Sequence, residues 1–264
     1  MSFADLKNTR VHYDLTGPCD LPVLVLSNSL GTDLTMWDAQ FEAFSKNFQL
    51  LRYDTRGHGQ SSVTPGPYTI EQLANDVLNL LDHLELPHAY FCGLSMGGVT
   101  GMWLGVHAPE RLRKIVLCNT ALKIGNAGGW NTRIETVRKN GMQSIASSVL
   151  DRWFTPAFRV GFQQHVQSAR QMLLSISADG YIACCAAVRD ADFRGENPGS
   201  SISSIRVPTM VVVGAQDPVT SPADGHSIVD RISGAQYAEL QAAHLSNIEA
   251  ASAFTMEVGR FLAT

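Results

Sequence analysis

The sequence predicts an α/β protein: a mostly parallel, doubly wound sheet of eight strands, with helices on both faces and a helical insertion. Three observations predict it. Apolar runs of strand length alternate with helical patterns from residue 21 to residue 118, and the alternation resumes at 208. Between 122 and 204 there is no Val/Ile run, only helical stretches. The apolar run Ala89-Tyr90-Phe91-Cys92 passes directly into Gly93-Leu94-Ser95-Met96-Gly97, the punctuation of a sharp strand-to-helix turn. A core domain is therefore expected over 1–121 and 205–264, with 122–204 inserted as a helical lid over the mouth of the sheet.

Taken in order, Phe3–Leu6 and Arg10–Leu15 alternate in polarity around a turn near Asn8, the pattern of an antiparallel hairpin. Leu21–Leu26 is continuously apolar, as a strand buried on both faces must be. The polar loop Ser27-Asn28-Ser29-Leu30-Gly31-Thr32 follows, then a helix over about 34–46 with Trp37, Phe41 and Phe44 on one side. A strand at Phe48–Tyr53 leads into Asp54–Ser62. Ile70, Leu73, Ala74, Val77, Leu80, Leu81 and Leu84 recur at helical spacing and predict an amphipathic helix over 69–84. The strand at 89–92 ends in the turn at Ser95, a helix runs from near Gly98 to about Ala108, and Lys114–Cys118 is the next strand. Helical stretches are expected over 133–140, 142–152, 157–175 and 179–189, a strand over 208–214, a helix over 223–231, a strand over 235–240 and a last helix over 246–262.

Composition narrows the function. Apolar residues at 45% and charged residues at 17% are ordinary for a globular chain. A net charge of -4 with no Lys/Arg-rich run gives no basis for a nucleic-acid partner, and none is expected. No apolar stretch reaches the ~20 residues that span a bilayer, so no membrane is expected. The first residues lack the basic flank and apolar stretch of a secretion signal, which makes the cytoplasm the expected location. The cysteines Cys19, Cys92, Cys118, Cys184 and Cys185 show no metal-ligand spacing and read as free thiols, with no metal site.

Gly-x-Ser-x-Gly after a strand is the pattern of a nucleophile elbow. Glycines two residues either side of Ser95 relieve crowding that a Cβ would create, and the turn pushes the hydroxyl into the open. A serine hydroxyl does not ionise at neutral pH, so it needs a base within hydrogen-bond reach and a third group to orient that base. Behind such an elbow the order along the chain is serine, acid, histidine. Asp217 follows the strand at 208–214, and His244 follows the last strand, just before the final helix. All three candidates stand at carboxyl ends of strands, where open α/β sheets place their sites. The oxyanion donors expected are the N–H of Met96, first after the elbow serine, and the N–H of Leu30 in the loop after 21–26. His58 is the strongest competitor for the base, but it precedes the serine and has no acid partner in that order; the other histidines read as structural.

The segments Ser27–Thr32, Tyr53–Ser62, Gly93–Gly98, Cys118–Ala121 and Trp130–Glu135 together resemble the 3-oxoadipate enol-lactonases, a family of α/β-hydrolases, and the likeness covers essentially the whole chain. The resemblance implies hydrolysis of 3-oxoadipate enol-lactone to 3-oxoadipate in breakdown of protocatechuate and related aromatics, with no cofactor. Such a lactone carries a carboxylate, and a protein of net charge -4 needs a local cation to hold it. The lid offers Arg133, Arg138, Arg152, Arg159 and Arg170; Arg133, in the family-like segment, is the candidate substrate ligand, with Trp153 as a wall and hydrogen-bond donor. The partner expected is thus a small lactone. A general carboxylesterase, a carbon–carbon bond hydrolase of ring-cleavage products, and a non-catalytic receptor are the alternative readings of the same scaffold.

Overall fold

The computed structural model describes residues 1–195 and 201–263; residues 196–200 of the expected insertion and residue 264 of the expected core lie outside them. Strands β1 (Ser2–Leu6) and β2 (Thr9–Thr16) form the antiparallel hairpin that their alternating polarity predicts, with Leu6 opposite Thr9. β3 (Val23–Ser27), α1 (Asp38–Phe44), β4 (Gln49–Tyr53), α2 (Ile70–His83), β5 (Ala89–Leu94), α3 (Met96–His107) and β6 (Leu112–Cys118) follow in strict alternation. Then come α4 (Ala127–Asn140), α5 (Ala146–Trp153), α6 (Pro156–Gly161), α7 (Gln163–Ser175) and α8 (Ala178–Asp190), with no strand among the described residues of this stretch. β7 (Thr209–Gly214), α9 (Pro222–Val229), β8 (Gln236–Leu240), α10 (Ser246–Glu249) and α11 (Ala251–Ala263) complete the chain.

The eight strands lie in the order β1-β2-β4-β3-β5-β6-β7-β8, and pairing is parallel from β4 to β8. Burial follows the residues. Every residue of β3 and β7 is buried, as their unbroken apolar runs require, whereas the outer strands β1 and β8 are partly exposed. From β3 the chain steps one way to β4, then crosses back to β5. Right-handed crossovers therefore put α1 on one face and α2 and α3 on the other. The reversal makes the gap between the carboxyl ends of β3 and β5 a topological switch point. Ser27 pairs with Gly93 there, so the loop leaving β3 and the turn leaving β5 start side by side.

Several helices differ from expectation in their bounds. A 3-10 turn at Leu34–Trp37 precedes α1, with Trp37 and Phe44 buried. α3 starts at Met96 and α4 at Ala127, earlier than expected: Gly97-Gly98 and Gly128-Gly129 weaken the local helical signal, yet the helices begin ahead of them, α3 at the elbow and α4 behind a capping residue. Asn126 caps α4 through the Gly129 N–H. The stretches 157–175 and 246–262 each break in two, at Phe162 and Ala250, whose ψ values of 48° and 43° leave the helical well.

Candidate active site

The elbow is built by close backbone approach. A Cβ on Gly93 would fall well inside contact distance of the Gly97 carbonyl, and one on Gly97 would strike Ser27. Ser95 itself sits at φ 57°, a conformation that costs a non-glycine residue roughly 1–3 kcal/mol and needs its surroundings to hold it. They do: its N–H donates to Cys118 O at 2.8 Å, and its C=O accepts from Thr120 Oγ1 at 3.0 Å. The glycines thus act as the sequence predicts.

Asp217 and His244 come together from the loops after β7 and β8. His244 Nδ1 lies 2.8 Å from Asp217 Oδ2, and both side chains are buried. Gly214 permits the approach, since a Cβ there would collide with the Ala242 and Ala243 carbonyls. Burial alone would raise the Asp217 pKa, but the charge of His244 and hydrogen bonds from His244, Asn119 and Thr220 outweigh it and hold the carboxyl below its ordinary value. With Nδ1 engaged, Nε2 is the ring nitrogen left to exchange a proton. His244 and Ser95 line one cavity.

The loop after β3 presents a second donor. Ser29 to Thr32 form a turn closed by Thr32 N–H to Ser29 O at 3.3 Å, with Gly31 at φ 84° in the position that demands a positive angle. The turn leaves the Leu30 N–H free, and at the end of the adjacent strand the Met96 N–H stands at the first position of α3; neither has an acceptor among the described residues. Gly97 N–H to Asn28 O at 3.1 Å ties this loop to the elbow. His58, the rival base, is spent elsewhere: its Nε2 accepts the Gly31 N–H at 3.0 Å and so pins the turn that carries Leu30. Arg56 is likewise committed, to Asp76.

The cavity that Ser95 and His244 share, of about 30 Å³, lies between the carboxyl ends of the strands and residues of α4, α5 and α8. Trp130, Arg133, Arg152, Trp153 and Tyr181 line it. Of the five arginines singled out from the sequence, the structure brings two to Ser95. Arg138 pairs with Glu135 and Arg159 with Asp151, while Arg170 lines a separate pocket. Arg133 stacks over Trp130 at 4.8 Å, and neither it nor Arg152 has an ion-pair partner among the described residues. Burial, and next the charge of Arg133, lower the Arg152 pKa.

Sequence reasoning did not select Arg152 over its neighbours and missed Asn119 and Thr220. Asn119 donates to Asp217 Oδ2 at 3.0 Å and to Ala243 O at 3.2 Å, and its Oδ1 accepts from Ser246. Thr220 reaches the same carboxylate oxygen at 2.7 Å. A polar Asn-Thr pair directly after a buried apolar strand was the available signal for Asn119.

Comparison with known proteins agrees with this geometry. Residues 22–140 match the alpha/beta hydrolase fold family. The chain is 44% identical over 252 residues to 3-oxoadipate enol-lactonase 2 of Acinetobacter baylyi, covering 96% of this chain and 92% of that one. It is 40% identical to enol-lactonase 1 of the same organism over 89% of this chain and 86% of that one. The crystal structure of the enol-lactonase from Burkholderia xenovorans superposes with a TM-score of 0.96 at 44% identity, with both chains fully covered.

Proposed function

Because the chain belongs to the 3-oxoadipate enol-lactonases of the α/β-hydrolase family, we propose that it hydrolyses 3-oxoadipate enol-lactone to 3-oxoadipate, with Ser95 as nucleophile. One observation carries the substrate reading: two arginines without ion-pair partners face the cavity that Ser95 and His244 share, in a protein whose net charge is -4. That is a place for a carboxylate beside a serine, and a neutral ester would leave both cations uncompensated.

In this mechanism Arg133 and Arg152 hold the lactone carboxylate while the Trp130 and Trp153 rings wall the ring carbons. Ser95 Oγ attacks the lactone carbonyl as His244 Nε2 takes its proton. Asp217 stabilises the imidazolium, and the Leu30 and Met96 amides bind the oxyanion, each such donor being worth roughly 3–4 kcal/mol of transition-state stabilisation. The ring C–O bond breaks. The departing enolate is a good leaving group: His244 Nε2 returns to it the proton taken from Ser95, which leaves His244 neutral, and the enol becomes the ketone. Water then gives a proton to His244 and attacks the acyl carbon, and Ser95 leaves with the proton that His244 returns, releasing a second carboxylate. We assign 122–204 the role of a cap. The cavity over Ser95, of about 30 Å³, is smaller than the lactone, so admitting substrate asks the side chains or helices around it to shift. We also place the reaction in the cytoplasm, where five free cysteines stay reduced; no single helix among the described residues is long and apolar enough to cross a membrane.

The direct test is the ultraviolet absorbance of the enol-lactone on adding purified protein: rapid loss with the wild type and none above background with Ser95→Ala.

A further inference from the structure

We infer that Glu249 is a positioning residue that latches the inserted helices to the histidine loop, so that the cap and His244 move as one. The inference rests on the assignment of His244 as base. Glu249 closes the short helix α10, and its carboxylate has no ion-pair partner among the described residues. Oε2 accepts the N–H of Ala243, the residue next to His244, at 2.9 Å. Both oxygens lie 3.2 Å from the N–H of Thr155, and Oε1 also accepts the Thr155 hydroxyl. Thr155 in turn caps α6 through the Phe158 N–H and stands just beyond Arg152 and Trp153, which line the cavity.

A second bond crosses the same seam. Leu245 N–H, on the other side of His244, donates to the Trp153 carbonyl at 3.0 Å. The backbone on both flanks of His244 is therefore held by the insertion, once directly and once through Glu249. From the core side, Asp217 holds the ring and Asn119 holds the Ala243 carbonyl. Other backbone bonds also order this loop, Gln216 N–H to Ala242 O and Ile248 N–H to Leu245 O among them, but the two bonds beside His244 that cross to 153–155 depend on where those residues sit. Removing the Glu249 carboxylate leaves the Ala243 and Thr155 N–H groups without their acceptor, and the loop must relax to find others.

The consequence is a coupling. When the cap settles over a substrate, Thr155 and Trp153 draw the histidine loop with them, and catalytic alignment follows closure. Labelling of Ser95 by a small fluorophosphonate isolates the effect, because it needs His244 but neither arginine. Displacements of about 1 Å cost on the order of 100-fold, so Glu249→Ala is expected to lower the labelling rate and the lactone kcat together by roughly tenfold or more. Glu249→Gln keeps an oxygen that can accept both N–H groups, and its amide can donate to Thr155 Oγ1; it is expected to recover most of the wild-type rate. Two results overturn the latch: Glu249→Ala melting earlier yet labelling at the wild-type rate, which makes Glu249 a strut, or Glu249→Gln as slow as Glu249→Ala. If Glu249→Ala does not fold, Thr155→Val carries the same comparison, with slowed labelling expected and a wild-type rate overturning the latch. A wild-type protein that does not label at all overturns the nucleophile assignment itself, a distinguishable outcome.

Discussion

At the scale of single residues, Ser95, Asp217 and His244, the proposed triad, could be named from the sequence because each is tied to a strand end, and strand ends are visible as the close of an apolar run. Arg152 could not be singled out, because choosing among the five arginines of the 122–204 stretch requires knowing which are already neutralised. Arg138 and Arg159 have carboxylates of their own, and only folding brings those partners to them. Asn119 was equally hidden, since an amide acquires meaning only from what it bonds. The arginine assignment makes a sharp prediction. Hydrogen bonds to a charged group are worth about 1.5–3 kcal/mol, so Arg133→Met and Arg152→Met should each raise KM for the enol-lactone by roughly ten- to a hundredfold while sparing hydrolysis of a neutral phenyl ester. Parallel kinetics on both substrates check it; equal losses on both would indicate a distorted fold instead.

At the scale of elements, strands were read to within two residues at each end, the central ones because burial on both faces leaves an unbroken apolar signature. Helices were read less well, and the errors fall on glycine-rich starts and on the breaks at Phe162 and Ala250, where tertiary packing overrides a continuous helical pattern. The break at Ala250 has a use, because it isolates α10, whose Ser246, Asn247 and Glu249 bond to three different parts of the molecule. The seam between α8 and the Arg-Gly-His-Gly loop is set by glycine on both sides: a Cβ on Gly180 would collide with the Gly57 backbone. Gly180→Ala must push α8 and Tyr181 away from the loop. Overpacking of this kind costs about 1–3 kcal/mol, so a lower melting temperature together with a raised KM is expected from thermal melts and steady-state kinetics. A variant unchanged in both would show that the seam yields freely.

At the scale of the whole molecule, the fold was legible through alternation and the substrate through resemblance, while the proposed latch between 153–155 and the His244 loop was legible through neither, because it rests on contacts between residues about a hundred positions apart. Global stability carries its own signature. Burial pushes the His58 pKa from 6.5 down to about 4. The unfolded chain therefore takes up the proton first as pH falls, and the folded state loses about 3 kcal/mol from this group between neutral pH and pH 4. Asp54 and Asp76, raised by burial, act in the opposite sense, so the comparison is with His58→Gln, whose stability should fall less over the same range. Denaturant unfolding across that range checks the sign, and parallel curves would contradict it. The central claim, that Ser95 opens a carboxylate-bearing enol-lactone, is tested most directly by following the lactone's ultraviolet absorbance with purified protein. The account predicts rapid loss with the wild type and background loss with Ser95→Ala; undiminished turnover by Ser95→Ala, or none by the wild type, would contradict it.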